Sequence, residues 1–262
     1  MVEKKNSVIL VEIKDRRDEF LLKELIKDGY RAVDIKDATH EIDGFKIYVL
    51  SITTNPRREN IELFDKGSMF FSSTLKHVTG DTIKEFKLTH YDYFANEELA
   101  VRNAGLTAEG MLALLIENTQ ASIKDLKILI LGYGRVGKAS AQILHDNHCF
   151  FSVVNRNSIA SAEATLIANR SYSFENMPNI IRDYDVIINS VPAVILNSEI
   201  LHEIKDDTLI LDLASLPGGV DMSQLENRNI KVIHALGLPG KFSPLKAAKL
   251  IKKVITDKLN SM

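Results

Sequence analysis

The sequence predicts an α/β protein: a doubly wound parallel sheet joined to a second, smaller α/β domain at the N-terminal end. Three observations predict it. Apolar runs of strand length alternate with stretches of helical period. One such run, residues 128–131, ends in Gly132, Gly134 and Gly137 and leads straight into an Ala-rich helical stretch. The first hundred residues repeat the alternation without that glycine turn, since Lys14-Asp15-Arg16-Arg17 follows their first apolar run.

The elements read in order as follows. Residues 7–12 are a strand, and 17–28 a helix with Phe20, Leu21, Leu25 and Ile26 on one face. Residues 32–35 are strand-like. Residues 46–52 are a stronger strand between Gly44 and the turn former Asn55-Pro56. Residues 68–71 and 85–88 are read as further strands. A helix over 107–120, with Thr107 as N-cap and Met111, Leu114, Leu115 and Asn118 at helical spacing, connects to the second domain. There follow a strand at 127–131, a helix at 136–145, a strand at 151–155, a weak helix or turn at 159–167, and strands at 184–189, 208–213 and 232–235. Pro244 opens a final helix to about 259. Its apolar face is Leu245, Ala248, Ile251, Ile255 and Leu259, with five lysines outside. The expected domains are residues 1–104, residues 105–243 including the connector helix, and the helix of 244–262 packed back on the first. Two lobes and a hinge follow from that division.

The glycines carry the strongest functional signal. In G-x-G-x-x-G the first glycine permits the turn, the second lets the backbone approach a pyrophosphate, and the third lets helix pack on strand, with the helix N-terminus aimed at the phosphates. A strand before and a helix after supply the context that makes the motif a dinucleotide site. In a Rossmann domain that binds NAD, an acid about 20 residues on holds the ribose 2′-hydroxyl. Here that position is Asn155, followed by Arg156, Asn157 and Ser158. An acid would repel a 2′-phosphate, whereas Arg pairs with it, so the expected cofactor is NADP. The alternative is that Arg156 is an ordinary loop residue and either cofactor serves.

Composition sets bounds. The chain has 262 residues, 45% hydrophobic and 26% charged, typical of a globular protein. Its net charge of −2 gives no global attraction to nucleic acid or to a membrane surface. The N-terminal apolar run, residues 8–11, is too short for a signal core, and no segment approaches the ~20 apolar residues of a membrane span. With Cys149 the one cysteine, no internal disulfide forms, which fits a reducing compartment. The expected location is the cytoplasm.

Four segments together resemble one family: 106–115 (LTAEGMLALL), 130–138 (ILGYGRVGK), 212–221 (DLASLPGGVD) and 237–248 (GLPGKFSPLKAA). The set resembles the A-subunit of dipicolinate synthase, which oxidises dihydrodipicolinate to pyridine-2,6-dicarboxylate in spore-forming bacteria; the likeness spans about residues 103–249. It implies a fold similar to the D-2-hydroxyacid dehydrogenases, with an N-terminal substrate domain, and a small dicarboxylate substrate. A homo-oligomer is expected, and the family also implies a flavoprotein-like second subunit. It further implies that Gly132, Gly134 and Gly137, with the backbone at Arg135 and Val136, hold the pyrophosphate. Asn155, Arg156 and Ser158 meet the 2′-phosphate. Ser190, Val191 and Pro192 pass along the cofactor. Asp212, Ala214 and Ser215 lie under the nicotinamide, and 237–241 with Ser243 close the cleft near the reacting ring. Lys241 becomes the catalytic cation, with Ser215 and Ser243 as donors. The hydroxyacid enzymes of similar fold use an Arg near the position of Ser215 and a His in the loop matching 237–244. Neither is present, which argues against 2-hydroxyacid oxidation. Two alternatives stay open: a dehydrogenase of another small carboxylate, and a non-catalytic NADP-binding subunit of a complex.

Other features have plainer readings. His145-Asp146-Asn147-His148-Cys149 looks like a metal cluster but falls at a helix end and turn, so no metal is expected. Arg57-Arg58 could grip a carboxylate, although paired arginines in a polar loop are more often solvated. His234 is read as a packed strand histidine.

Overall fold

The computed structural model describes residues 7–38, 43–73, 75–225 and 228–261. The chain divides into two compact units, one of residues 1–103 with 239–262 and the other of residues 104–238. The architecture is α/β throughout, each unit being built on one parallel sheet.

In the first unit β1 (Ser7–Val11), β2 (Ala32–Asp34), β3 (Phe45–Val49), β4 (Met69–Ser72) and β5 (Thr89–Asp92) form a sheet in the order 2-1-3-4-5. Its helices are α1 (Arg16–Lys27), α2 (Arg58–Ile61) and α3 (Gly80–Glu85); α4 (Glu97–Asn118) begins in this unit and passes through the division. α1 starts on a capping box, in which the Asp15 carboxylate accepts the Arg17 N–H while Asp18 accepts from the backbone of Asp15. Val8, Leu10, Tyr48, Ile61, Phe64 and Phe70 form one face of the core, with Tyr48 and Phe64 stacked at 4.0 Å.

Three expectations need correction here. Residues 85–88 are not a strand. Glu85 ends α3 and 86–88 are the turn that follows it, where Leu88 N–H donates to Ile83 O and Lys87 takes a positive φ of 54°. The alternation Phe86, Leu88 is thus a helix stop, and the strand starts at Thr89. The connector helix starts at Glu97, not Thr107, because the Asn96 side chain caps Leu99 N–H at 2.9 Å and Glu97 and Glu98 complement the dipole. α4 is also long and apolar enough in composition to cross a membrane, contrary to the expectation that no segment is. Over half of its apolar window, 56%, is buried within the protein, as in a core helix.

The final helix, α10 (Pro244–Asn260), packs on α1. It buries Ala247, Ala248, Leu250, Ile251 and Ile255, while Leu245 of the expected face is 41% exposed. Each of the three large side chains contributes about 1.5–3 kcal/mol, which together is comparable to the about 5–15 kcal/mol of a whole domain. Truncation after Ser243 is therefore expected to unfold the first unit. Amide exchange over residues 7–100 should accelerate strongly; unchanged exchange there would show that the unit stands without α10.

The second unit runs β6 (Lys127–Leu131), α5 (Arg135–Asp146), β7 (Phe150–Asn155), α6 (Ser158–Ala164), β8 (Arg170–Ser173), α7 (Met177–Ile180), β9 (Val186–Asn189), α8 (Ser198–Glu203), β10 (Leu209–Asp212) and β11 (Lys231–His234). β8 is a strand that the sequence pattern missed: RSYS is short and polar, as an edge strand can be. The sheet order is 11-10-9-6-7-8, all parallel. Its central strands are buried on both faces, which is why they read as unbroken apolar runs. The order reverses between β6 and β9, and ligands of open α/β sheets bind outside the carboxyl ends of strands at such a point. The stretch 237–243, expected as a loop, holds a short helix, α9 (Leu238–Phe242).

Candidate functional site

In the second unit the carboxyl ends of β6 and β9 carry the glycine turn and Ser190. Gly132 has φ +89°, and a Cβ there would lie 2.7 Å from Ser190 Oγ. Ser190 ties the two strand ends together, its hydroxyl donating to Leu131 O at 2.9 Å and its N–H to the same carbonyl. A Cβ on Gly137 would overlap the Gly132 carbonyl, so helix α5 reaches the strand only as glycine. Gly134 is different: a Cβ there meets nothing within 4 Å. It is the exposed N-cap of α5 and offers no side-chain hydrogen bond to the helix start. Open space before an uncapped N-terminus suits a pyrophosphate, so the residues present fit a dinucleotide. Arg135 and Val136 form the first turn of that helix. Beside it Lys138 pairs with Glu163 at 2.6 Å and lies 5.6 Å from the Tyr133 ring.

The 2′-phosphate positions divide. Asn155 is buried, its amide donating to Ser171 Oγ at 3.1 Å while its carbonyl accepts Asn157 N–H. It therefore shapes the turn after β7. Arg156 and Ser158 are exposed, and the Arg156 guanidinium lies 5.4 Å over the Phe174 ring. Val191 and Pro192 follow β9, with Val191 N–H donating to Asn189 Oδ1.

Asp212 closes β10. Its buried carboxylate accepts from Asn189 Nδ2 (2.8 Å), Ala214 N–H (3.2 Å) and Gly219 N–H (2.8 Å). It is thus the tether of the loop 213–219, on which Ser215 is exposed. Asp212→Asn would turn an amide donor toward one of three donors. A loss of about 1–3 kcal/mol in the stability of this unit is expected, to be read by denaturant unfolding; a neutral result would show that the loop holds without the carboxylate.

His234, expected as a packed strand histidine, is exposed at the end of β11. Its Nε2 lies 3.3 Å from Ala214 O, and a Cβ on Gly218 would reach 2.9 Å from its ring. With Nε2–H donating to that carbonyl, Nδ1 is left as an acceptor. The signal was present, since His234 follows Lys231-Val232-Ile233 at a strand end where ligands bind, but its exposure was not legible from the alternation.

Lys241 and Ser243 belong to the first unit, Ser215 to the second. Lys241 is exposed on α9, 5.1 Å from the Phe242 ring. Arg57 is exposed, and Arg58 is held by Glu62 at 2.6 Å and Glu85 at 2.9 Å, which draw it away from ligand duty. No cluster of three metal-ligating side chains exists among the described residues. Cys149 is buried, and burial pushes its thiol pKa up.

Comparison with known proteins fits this geometry. Residues 114–237 match the family described as Shikimate / quinate 5-dehydrogenase. The A-subunit of dipicolinate synthase from Bacillus subtilis (strain 168) is 32% identical over 166 residues, covering 63% of this chain. This chain resembles the dipicolinate synthase A-subunit. The match spans 56% of that relative's length. The crystal structure of the dipicolinate synthase A-subunit from Bacillus halodurans superposes with a TM-score of 0.82 at 23% identity, covering 99% of both chains. A transhydrogenase from Sinorhizobium meliloti gives 0.75 at 15% identity, over 98% of this chain and 94% of that one. The fold is the Rossmann-like α/β fold that these structures share.

Proposed function

We propose that this chain is an NADP-dependent dehydrogenase that oxidises dihydrodipicolinate to dipicolinate, working with a second subunit. The observation that carries the reading is the sequence relationship to the dipicolinate synthase A-subunit. The glycine turn, with Arg135 and Val136 in the first helical turn, would hold the pyrophosphate, and Arg156 with Ser158 the 2′-phosphate. Oxidising the dihydro ring removes a hydride and a proton and leaves the aromatic pyridine. The bound nicotinamide would supply the hydride acceptor. Asp212 holds the loop of Ala214 and Ser215 in place, and Ser190, Val191 and Pro192 border the same strand ends. With Nε2–H donating to Ala214 O, His234 Nδ1 would be the acceptor for the ring proton. Aromatisation lowers the demand for a strong base, so the hydroxyl-deprotonating histidine of a hydroxyacid enzyme is not required. The substrate's two carboxylates call for cations, and Lys241, with Ser243 beside it in sequence, answers that need.

The test is steady-state kinetics with dihydrodipicolinate generated in situ, beside a panel of D-2-hydroxyacids, the protein being supplied with and without a flavoprotein-like partner. Turnover of the dihydropyridine is expected, and Lys241→Ala should lower kcat/KM about tenfold or more, the weight of one charge-assisted contact, with NADP affinity kept. Robust turnover of a hydroxyacid, or a fully active Lys241→Ala protein, would overturn the assignment.

A further inference from the structure

Helices α1 and α10 lie side by side in the first unit, and their charges are arranged unequally along the seam. Toward the end of α1, Lys252 of α10 is 2.6 Å from Asp28 and 3.3 Å from Glu24. Lys253 is 3.1 Å from Glu98 and 3.0 Å from Asp257, and Lys258 lies 4.5 Å from the Tyr91 ring. These lysines are not the uniform solvated face that the sequence suggests. Where both helices begin, the pattern inverts. Arg16, Lys241, Lys246 and Lys249 line a cavity of about 500 Å³ together with Phe20 and Phe242. None of the four pairs with a carboxylate among the described residues. Lys246 and Lys249 share one helix face by their i,i+3 spacing.

Four cations lining one open cavity in a chain of net charge −2 give it a local positive field that favours an anion. Among the described residues no carboxylate pairs with them. Asp15, next in sequence to Arg16, is engaged by Arg17 at 2.7 Å. The cavity is also held in shape. A Cβ on Gly240 would come within 2.7 Å of Asp15 Oδ2, so the segment bearing Lys241 packs closely against the start of α1. Its place in the fold agrees. The sheet order 2-1-3-4-5 reverses between β1 and β3, and Arg16 opens the helix that follows β1. The volume falls within the about 300–1,000 Å³ of small-molecule sites.

We infer that this cavity binds a planar ring carrying two carboxylates, with Arg16, Lys246 and Lys249 joining Lys241 as its cations and Phe20 and Phe242 as its apolar walls. The choice of a ring dicarboxylate rests on the function proposed above; the anionic class rests on the cations themselves. Calorimetric titration tests it, with pyridine-2,6-dicarboxylate, pyridine-2-carboxylate and inorganic phosphate as probes. The proteins are the wild type and an Arg16→Gln/Lys249→Gln variant, whose altered side chains are both exposed. The dicarboxylate should bind at least tenfold tighter than the other two probes. The variant should weaken it about tenfold or more, with its melting temperature and NADP affinity kept. Equal binding by wild type and variant, phosphate binding as tight as the dicarboxylate, or no binding by the wild type would overturn the inference. The two readings fail separately. Dicarboxylate binding through these cations without turnover of dihydrodipicolinate removes the proposed reaction and leaves the site. Turnover with an unchanged KM in the variant removes the site and leaves the reaction.

Discussion

Gly137→Ala is expected to cost the second unit much of its stability, whereas Gly134→Ala is expected to leave stability intact and remove cofactor binding. The two glycines belong to one motif but meet different surroundings. A methyl on Gly137 would overlap the Gly132 carbonyl oxygen and sit 2.9 Å from the Gly132 carbonyl carbon. Neither atom can retreat easily. Gly132 N–H is fixed to Val154 O at 2.8 Å, and the Ser190 hydroxyl, itself 3.2 Å from the intruding methyl, is fixed to Leu131 O. Overpacking against backbone belongs at or beyond the upper end of the about 1–3 kcal/mol usual for such insertions. A methyl on Gly134 meets nothing within 4 Å and so costs the empty protein little. It occupies the space where a pyrophosphate would approach the N-terminus of α5. Thermal melts with and without NADP separate the cases. Gly137→Ala with a wild-type melting temperature would contradict the packing argument. Gly134→Ala with undiminished NADP affinity would move the cofactor elsewhere.

The same contrast explains what the sequence revealed and what it hid. The second unit was legible because its strands are buried on both faces. Ile128–Leu131, Val186–Ile188 and Leu209–Leu211 stand out as apolar runs, and the glycine spacing fixes where the first of them ends. Edge and terminal features were not legible. β8 is polar, so nothing in Arg170–Ser173 marked a strand. Phe86 and Leu88 alternate like a strand but pack as the stop of α3, because a positive φ at Lys87 is invisible in composition. The start of α4 depended on the Asn96 cap, which competed with an equally plausible cap at Thr107. Within the site, residue type indicated chemistry but not direction. Asn155 has the right position for a ribose contact and bonds to Ser171, while His234, a packed residue by its strand pattern, is exposed. The cavity at Arg16 needed two segments far apart in sequence, and no local pattern joins them.

Arg156→Ala is expected to lower NADP affinity about 10- to 100-fold and to leave NAD affinity within about twofold. The expected size follows from one charge-assisted hydrogen bond to the 2′-phosphate, about 1.5–3 kcal/mol. Three features would put the proposed preference on this side chain. Asn155 is bonded to Ser171 and to the Asn157 N–H and adds no charge. No acid stands at the end of β7 to favour a 2′-hydroxyl, since that strand ends in Asn155 followed by Arg156, Asn157 and Ser158. And Phe174 lies 5.4 Å beneath the guanidinium, a contact that holds the long side chain near the strand end and reduces the ordering it must undergo on binding. Phe174→Ala should therefore reproduce part of the loss with the charge still present, whereas Arg156→Lys should retain part of the affinity as a point charge without the planar fork. Fluorescence titration of both cofactors against the three variants decides it. Parallel losses for NADP and NAD would mean that Arg156 supports the turn after β7 and not the 2′-phosphate. A preference for NADP that survives Arg156→Ala would place the discriminating cation elsewhere in the unit.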